Sequence, residues 1–215
     1  MTEGKLFPVG TLFLGGLFLL IMLATYLLVK PSAPPPELQG VLRPEFRQLR
    51  PFELTGTEGK PVSENNFRGK WSFVFFGYIS CPDVCPTTLQ ALNLVHGLLK
   101  DETGKDPDDM QVVFISVDPG RDTLKTISNY VAYFNKNFIG ATANRAEIDA
   151  LTRQFGAGYV LEPKTPTGQY LVAHTSAIFL VDPTGRLVAT FSQPHYPTTI
   201  LSQYQKIKTY FSGAG

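Results

Sequence analysis

The chain is 215 residues long and carries 19 Lys+Arg against 18 Asp+Glu, and the resulting net charge of +1 leaves no basic footprint for nucleic acid. There is no glycine-rich phosphate loop, no internal repeat and no four-ligand zinc spacing, and the 2 cysteines stand together in one short stretch.

Residues 9–29 carry no charge and are dominated by Leu, Phe, Ile, Val and Met, with Lys5 and Lys30 on either side. An apolar helix of about 20 residues spans a bilayer core of about 30 Å, and cations at its ends reach the headgroups. A secretory signal has a shorter apolar region, about 7–15 residues, ahead of a small-residue cleavage site. Residues 1–30 are therefore expected to be an uncleaved membrane anchor, whose single flanking lysines leave its orientation unset. A proline-rich tether follows at 31–44, opening Pro31-Ser32-Ala33-Pro34-Pro35-Pro36-Glu37, and such a segment extends by about 3.1 Å per residue. Residues 45–215 have the length of one domain, able to bury about 70% of its unfolded surface.

Within that domain, Phe52-Glu53-Leu54 and Pro61-Val62 flank Gly56-Thr57-Glu58-Gly59-Lys60 as a small hairpin. Trp71-Ser72-Phe73-Val74-Phe75-Phe76-Gly77 reads as a buried strand, and Cys81-Pro82-Asp83-Val84-Cys85-Pro86 follows it directly. A redox dithiol of the thioredoxin type has two residues between its cysteines; here there are three, and the sulfurs can still meet one another or one soft metal ion. A purely structural disulfide gains little from so short a loop. Apolar residues recur at helical spacing from Thr87 to Leu99, with Pro86-Thr87-Thr88 opening that helix. Its amide dipoles favour thiolate over thiol.

A second apolar strand runs over 111–117, and Asp118 ends it as either a turn residue or a carboxylate near the sulfurs. A helix from Arg121 to about Asn135, a short strand at 138–140 and a helix from Arg145 to Phe155 come next. Residues 156–169, rich in glycine and proline, read as an irregular or hairpin loop that swings His174 toward or away from the sulfurs. Strands at 176–181 and 186–191 flank the turn Asp182-Pro183-Thr184-Gly185, and a last helix spans about 199–211. Strands alternating with helices and closed by a hairpin make an α/β layered sheet. With cysteines between its first core strand and helix, the thioredoxin-like fold is the expectation. His96 reads as a helix-packing or surface residue, His195 as a loop residue, and Tyr78 as packing beside the site.

Three stretches carry a family resemblance in order: Phe76-Gly77-Tyr78 with Cys81 to Leu89, then Ser116-Val117-Asp118-Pro119-Gly120-Arg121-Asp122-Thr123, then Tyr170-Leu171-Val172-Ala173-His174-Thr175. Together with the anchor and tether they resemble the Sco/SenC family of copper proteins over nearly the whole chain. The resemblance implies a membrane-tethered thioredoxin-like domain that binds copper through Cys81, Cys85 and His174. Asp118 then stands behind those ligands, and the domain assists assembly of the binuclear copper site of cytochrome c oxidase. The chain departs from the family at Ala173, where an Asp is frequent, and at Ile79-Ser80. Two thiolates and an imidazole suit copper chemically, thiolate favouring Cu(I). The implied partners are the oxidase copper-site subunit, an upstream copper donor and the membrane. A carrier of this kind turns nothing over. The alternative is a thiol–disulfide oxidoreductase that reduces the oxidase cysteines, Cys81 or Cys85 attacking and the other resolving; a peroxidase suits the fold without being specifically called for. The oxidase copper centre faces away from the cytosol, and residues 1–8 lack an Arg- and Ser-rich presequence. The expected location is the bacterial inner membrane, single-pass, with the soluble domain in the periplasm.

Overall fold

The computed structural model describes residues 9–28 and 34–213. In chain order it forms helix α1 (Val9–Leu28), strands β1 (Leu42–Gln48), β2 (Glu53–Gly56), β3 (Pro61–Ser63) and β4 (Trp71–Gly77), helix α2 (Val84–Thr103) and strand β5 (Met110–Ser116). Helix α3 (Leu124–Phe134), strand β6 (Ile139–Thr142), helix α4 (Arg145–Phe155) and strands β7 (Tyr159–Leu161) and β8 (Val172–His174) follow. Strands β9 (Ile178–Val181) and β10 (Arg186–Phe191) and helix α5 (Pro197–Ser212) complete the chain.

β4 and β5 carry no charge and are buried along their whole lengths, as expected of strands covered on both faces. They pair in parallel from Trp71↔Met110 to Gly77↔Ser116 at the centre of an eight-stranded sheet ordered β1-β10-β9-β4-β5-β6-β2-β3. β6 is parallel to β5, while β9 runs antiparallel to β4, so helices must carry the chain back between the parallel strands. Alternation along β4 then decides which helix each side chain meets. Phe73 packs against Tyr204 of α5 at 5.1 Å between ring centroids, and Phe114 of β5 against Tyr130 of α3 at 5.5 Å. Phe76 points the other way, onto Phe155 of α4 at 5.3 Å and Phe179 of β9 at 5.9 Å. Each such side chain contributes about 1.5–3 kcal/mol when fully buried. This is the mixed α/β, thioredoxin-like arrangement that the alternation of elements predicts.

The boundaries of β1 and α2 differ from the sequence expectation. β1 spans 42–48 and so crosses the 44/45 division between tether and domain. It escapes a pattern reading because five of its residues are exposed, and Pro44 is tolerated only because β1 is an edge strand. α2 starts at Val84 rather than near Pro86, which places Cys85 inside the helix. Pro86 fits there because first-turn amides have no partner within the helix. The segment expected as an irregular or hairpin loop is a hairpin, β7 pairing β8 with Tyr159 opposite His174.

α1 coincides with the apolar run, and side chains from Leu14 to Leu23 are exposed. Lys5, Lys30 and 29–33 lie outside the described residues, as do the side chains of 9–13 and 26–28. Among the described residues no helix is long and apolar enough to cross a membrane.

Helix α3 lies tight on β6 because Gly140 has no side chain: a Cβ there would overlap Ile127 Cγ2 and approach Thr57 Cγ2 and Val131 Cγ1 to 3.3 Å. Gly140→Ala is expected to destabilise the domain by about 1–3 kcal/mol through overpacking, read as a lower denaturant midpoint with an unchanged slope. An unchanged midpoint would show that α3 shifts freely.

Candidate metal centre

Parallel strands leave their carboxyl ends at one edge of the sheet, where the connecting loops form a crevice. Gly77 ends β4 there, and residues 78–83 lead into the first turn of α2. The turn comes so close that a Cβ on Gly77 would sit 2.7 Å from Cys85 Sγ and 2.9 Å from Phe114 Cε2. Cys85 is fully buried in this contact, while Cys81 is half-buried at the mouth of the loop. The Cys85 backbone N–H, free because it opens the helix, donates to Cys81 Sγ at 3.4 Å.

His174 arrives from β8, at the end of the hairpin. Its Nε2 is 3.5 Å from Cys85 Sγ, and the ligand atoms of Cys81, Cys85 and His174 all lie within 4.8 Å of one another. The Nδ1 atom lies 3.1 Å from the Thr175 carbonyl. A carbonyl only accepts, so Nδ1 carries the proton and donates, leaving the Nε2 lone pair aimed at the sulfurs. Ligating histidines are usually oriented by such an acceptor, carboxylate or carbonyl. The exposed Ala173 alternates with His174 along β8 and so projects from the opposite face, and the carbonyl supplies the orienting acceptor. The imidazole is further confined edge-on to Phe75 and Tyr78, each at 5.9 Å. Tyr78, buried at 2%, packs beside the site as expected.

The two thiols are electrostatically unequal. A hydrogen bond from the Cys85 thiol lowers the pKa of Cys81 to about 4, and the Asp83 and Cys85 backbone N–H groups add to the effect against the opposing cost of burial. The same shared proton, together with burial, raises that of Cys85. At neutral pH the pair therefore holds one proton and one exposed-side thiolate, the soft donor that a metal or a disulfide meets first.

Asp118 does not face the sulfurs. It is fully buried, with Oδ2 taken by Arg121 Nε at 2.5 Å and Oδ1 by the Tyr170 hydroxyl at 2.8 Å. The carboxylate that reaches the cysteine loop is Asp122, which accepts the Ile79 backbone N–H at 3.0 Å and the Ser116 hydroxyl at 2.6 Å. Sequence reasoning missed it because a helical turn, Asp122 N–H to Asp118 O at 3.0 Å, carries the later residue back over the crevice. Burial raises the Asp122 pKa, which its hydrogen bonds oppose. His96 is buried on α2, and His195 Nδ1 pairs with Thr88 Oγ1 at 3.0 Å; neither joins the group. An open cleft of about 510 Å³, lined by Ser80, Arg121, Glu162, Tyr170 and Leu171 among others, runs beside the cysteine loop.

A sequence profile of the SCO1/SenC family matches residues 42–210. A putative copper-binding protein of Stutzerimonas stutzeri is 36% identical over 148 residues, 68% of this chain and 70% of that protein. The human mitochondrial protein SCO1 homolog is 35% identical over 143 residues, 66% of this chain but 47% of its own length. The crystal structure of Arabidopsis thaliana ScoI with copper bound superposes with a TM-score of 0.68 at 33% identity, covering 75% of this chain and 98% of that one.

Two outcomes are expected from the geometry. Gly77→Ala pushes the Cys85 sulfur out of its contact and disperses the three donors, seen as slower, incomplete formation of the Cys81–Cys85 disulfide under mild oxidant; wild-type rates would refute the packing. Alkylation of Cys81 by iodoacetamide persists as pH falls from neutral and declines only near about pH 4. The sign follows from a depressed folded-state pKa: the thiolate stabilises the fold above the unfolded thiol pKa, and that contribution is lost as pH falls through the folded value. Reactivity lost already near the ordinary thiol range of about 8.5 would contradict it.

Proposed function

This chain belongs to the SCO1/SenC family, and from that premise we propose that it is a copper carrier whose cargo is held by Cys81, Cys85 and His174. The observation that carries the reading is the convergence of two sulfurs and one imidazole nitrogen within 4.8 Å. Thiolates are soft donors favouring Cu(I), and imidazole suits copper in both oxidation states. The chain's contribution is to present the Cys81 thiolate at the mouth, keep the Cys85 proton available for release on binding, and fix the Nε2 lone pair toward both sulfurs. Cys81 and the adjoining cleft leave room for an incoming ligand from another protein, so cargo can pass by stepwise ligand exchange. The recipient in this reading is the copper-site subunit of cytochrome c oxidase, as the family resemblance implies, with a separate upstream donor.

A second reading has its own observation. A Cys81 thiolate at a helix start with a protonated Cys85 behind it is the arrangement of an attacking and a resolving thiol. In that case the chain reduces a disulfide in the recipient: Cys81 attacks one sulfur, Cys85 then attacks Cys81 in the mixed disulfide and releases the recipient as a dithiol, and formation of the Cys81–Cys85 bond supplies the two electrons. His174 distinguishes the two, since a reductase has no need of a third donor.

The uncharged run at 9–29 between Lys5 and Lys30, and the proline-rich stretch after it, support a single-pass anchor at 1–30, a tether over 31–44 and a functional domain beyond it. The domain is assigned to the periplasmic side of a bacterial inner membrane.

The reduced full chain in detergent is expected to hold one copper, with a thiolate charge-transfer band in the Cu(II) form that weakens in His174→Ala and disappears in Cys81→Ser or Cys85→Ser. Loose or absent copper, with retained reduction of a disulfide peptide, moves the function to the reductase. A membrane-impermeant maleimide added to intact spheroplasts should label Cys81; labelling only after lysis would place the domain in the cytosol.

A further inference from the structure

The loop between β5 and α3 holds both arms of the centre. Asp122 takes the backbone of the cysteine arm at Ile79, while Asp118 and Arg121 take the histidine arm at Tyr170. Arg121 is the link between the arms. Its Nη1 donates to the Tyr170 carbonyl at 2.9 Å, its Nε is paired with the buried Asp118, and its guanidinium carbon lies 3.6 Å from the centroid of the Tyr170 ring. The same guanidinium carbon is 5.7 Å from the ring of Tyr78. Tyr78 belongs to the cysteine arm and closes edge-on against His174 at 5.9 Å.

These contacts join the hairpin to the β5–α3 loop, while the Tyr159 hydroxyl, donating to Asp149 of α4 at 2.6 Å, and the buried Val172 hold it elsewhere. β7 and β8 form a separate two-stranded sheet outside the main one, and Val160, Leu161 and Leu171 are exposed on it. An isolated two-stranded hairpin is marginally stable on its own. Tyr170 lies four residues before His174, on the loop side of β8, so what grips it there bears on where the imidazole sits. A planar guanidinium stacked on one ring and forked onto a carboxylate and a carbonyl does so with a geometry that lysine cannot copy.

We propose that Arg121 is the positioning residue for His174: it clamps the β7–β8 hairpin to the β5–α3 loop and so sets whether the imidazole reaches the sulfurs. The inference rests on the three-donor copper reading. Without the clamp the two sulfurs still meet, but the third donor is lost or exchanging.

The test compares full-length wild type, His174→Ala, Arg121→Met, Arg121→Lys and Tyr170→Leu in detergent, each loaded with one equivalent of Cu(II). Electron paramagnetic resonance reads the nitrogen hyperfine of a bound imidazole, and circular dichroism reports folding. Arg121→Met and Arg121→Lys are expected to lose the nitrogen signature as His174→Ala does, with Cu(II) affinity down by about 10–100-fold and with the dithiol still taking up one Cu(I). Removing Arg121 orphans the buried Asp118, so Tyr170→Leu, which leaves that ion pair intact, carries the test if the arginine variants fail to fold. A wild-type nitrogen signature that disappears in His174→Ala but persists in folded Arg121→Met or Tyr170→Leu overturns the clamp. A wild type with no nitrogen signature overturns the three-donor reading itself, and the clamp with it.

Discussion

The parallel pairing of β4 with β5 is the constraint on which the rest of the molecule turns. Register brings Gly77 opposite Ser116, and the Val117 N–H continues the ladder by donating to the Gly77 carbonyl at 2.9 Å. The two strands therefore end side by side, and the loops that leave them have no choice but to run together over the same edge. One loop carries the cysteines and the other carries Asp118, Arg121 and Asp122. The buried aromatic faces of the sheet fix that register, since a slip of one residue would turn Phe73 and Phe75 away from α5 and α2 and toward α4. Site geometry is thus a consequence of core packing.

From that edge, polarity does the finer work. The carboxylate of Asp122 uses a backbone N–H and a hydroxyl to hold the cysteine loop, so its own burial is compensated. Asp118 is compensated by Arg121 and a phenol. Two buried acids in one loop would repel if they shared a face; instead each is turned to a different arm. The sulfur pair shares one proton, with a thiolate near the surface and a buried thiol beside the His174 imidazole. Such a set of donors is completed by a soft cation. It also serves disulfide exchange, and chemistry alone leaves both uses available to the same atoms.

Much of this is legible along the chain. β4, β5, α4 and the β9–β10 hairpin follow from uninterrupted apolar runs, helical spacing and the Asp182–Gly185 turn, because buried strands and amphipathic helices write their environment into local pattern. Cys81 and Cys85 stand out as the only cysteines, and His174 through the motif that contains it. Elements that pack weakly leave weaker marks. β1 is mostly exposed, and β7 and β8 are three residues each, so neither shows a period long enough to read.

The sequence by itself determined the composition of the centre, the layered α/β class and the buried strands, all of which depend on residue type and on neighbours within one turn or one strand. Only the tertiary structure decided the roles of Asp118, Asp122 and Arg121, and that the Thr175 carbonyl orients the imidazole. The roles of Asp118, Asp122 and Arg121 depend on contacts between residues 43 to 52 positions apart, as Ile79 with Asp122, Arg121 with Tyr170 and Asp118 with Tyr170 are. No local pattern encodes which of two carboxylates four residues apart will hold the cysteine loop; the turn between them and the strand it leaves decide that in three dimensions.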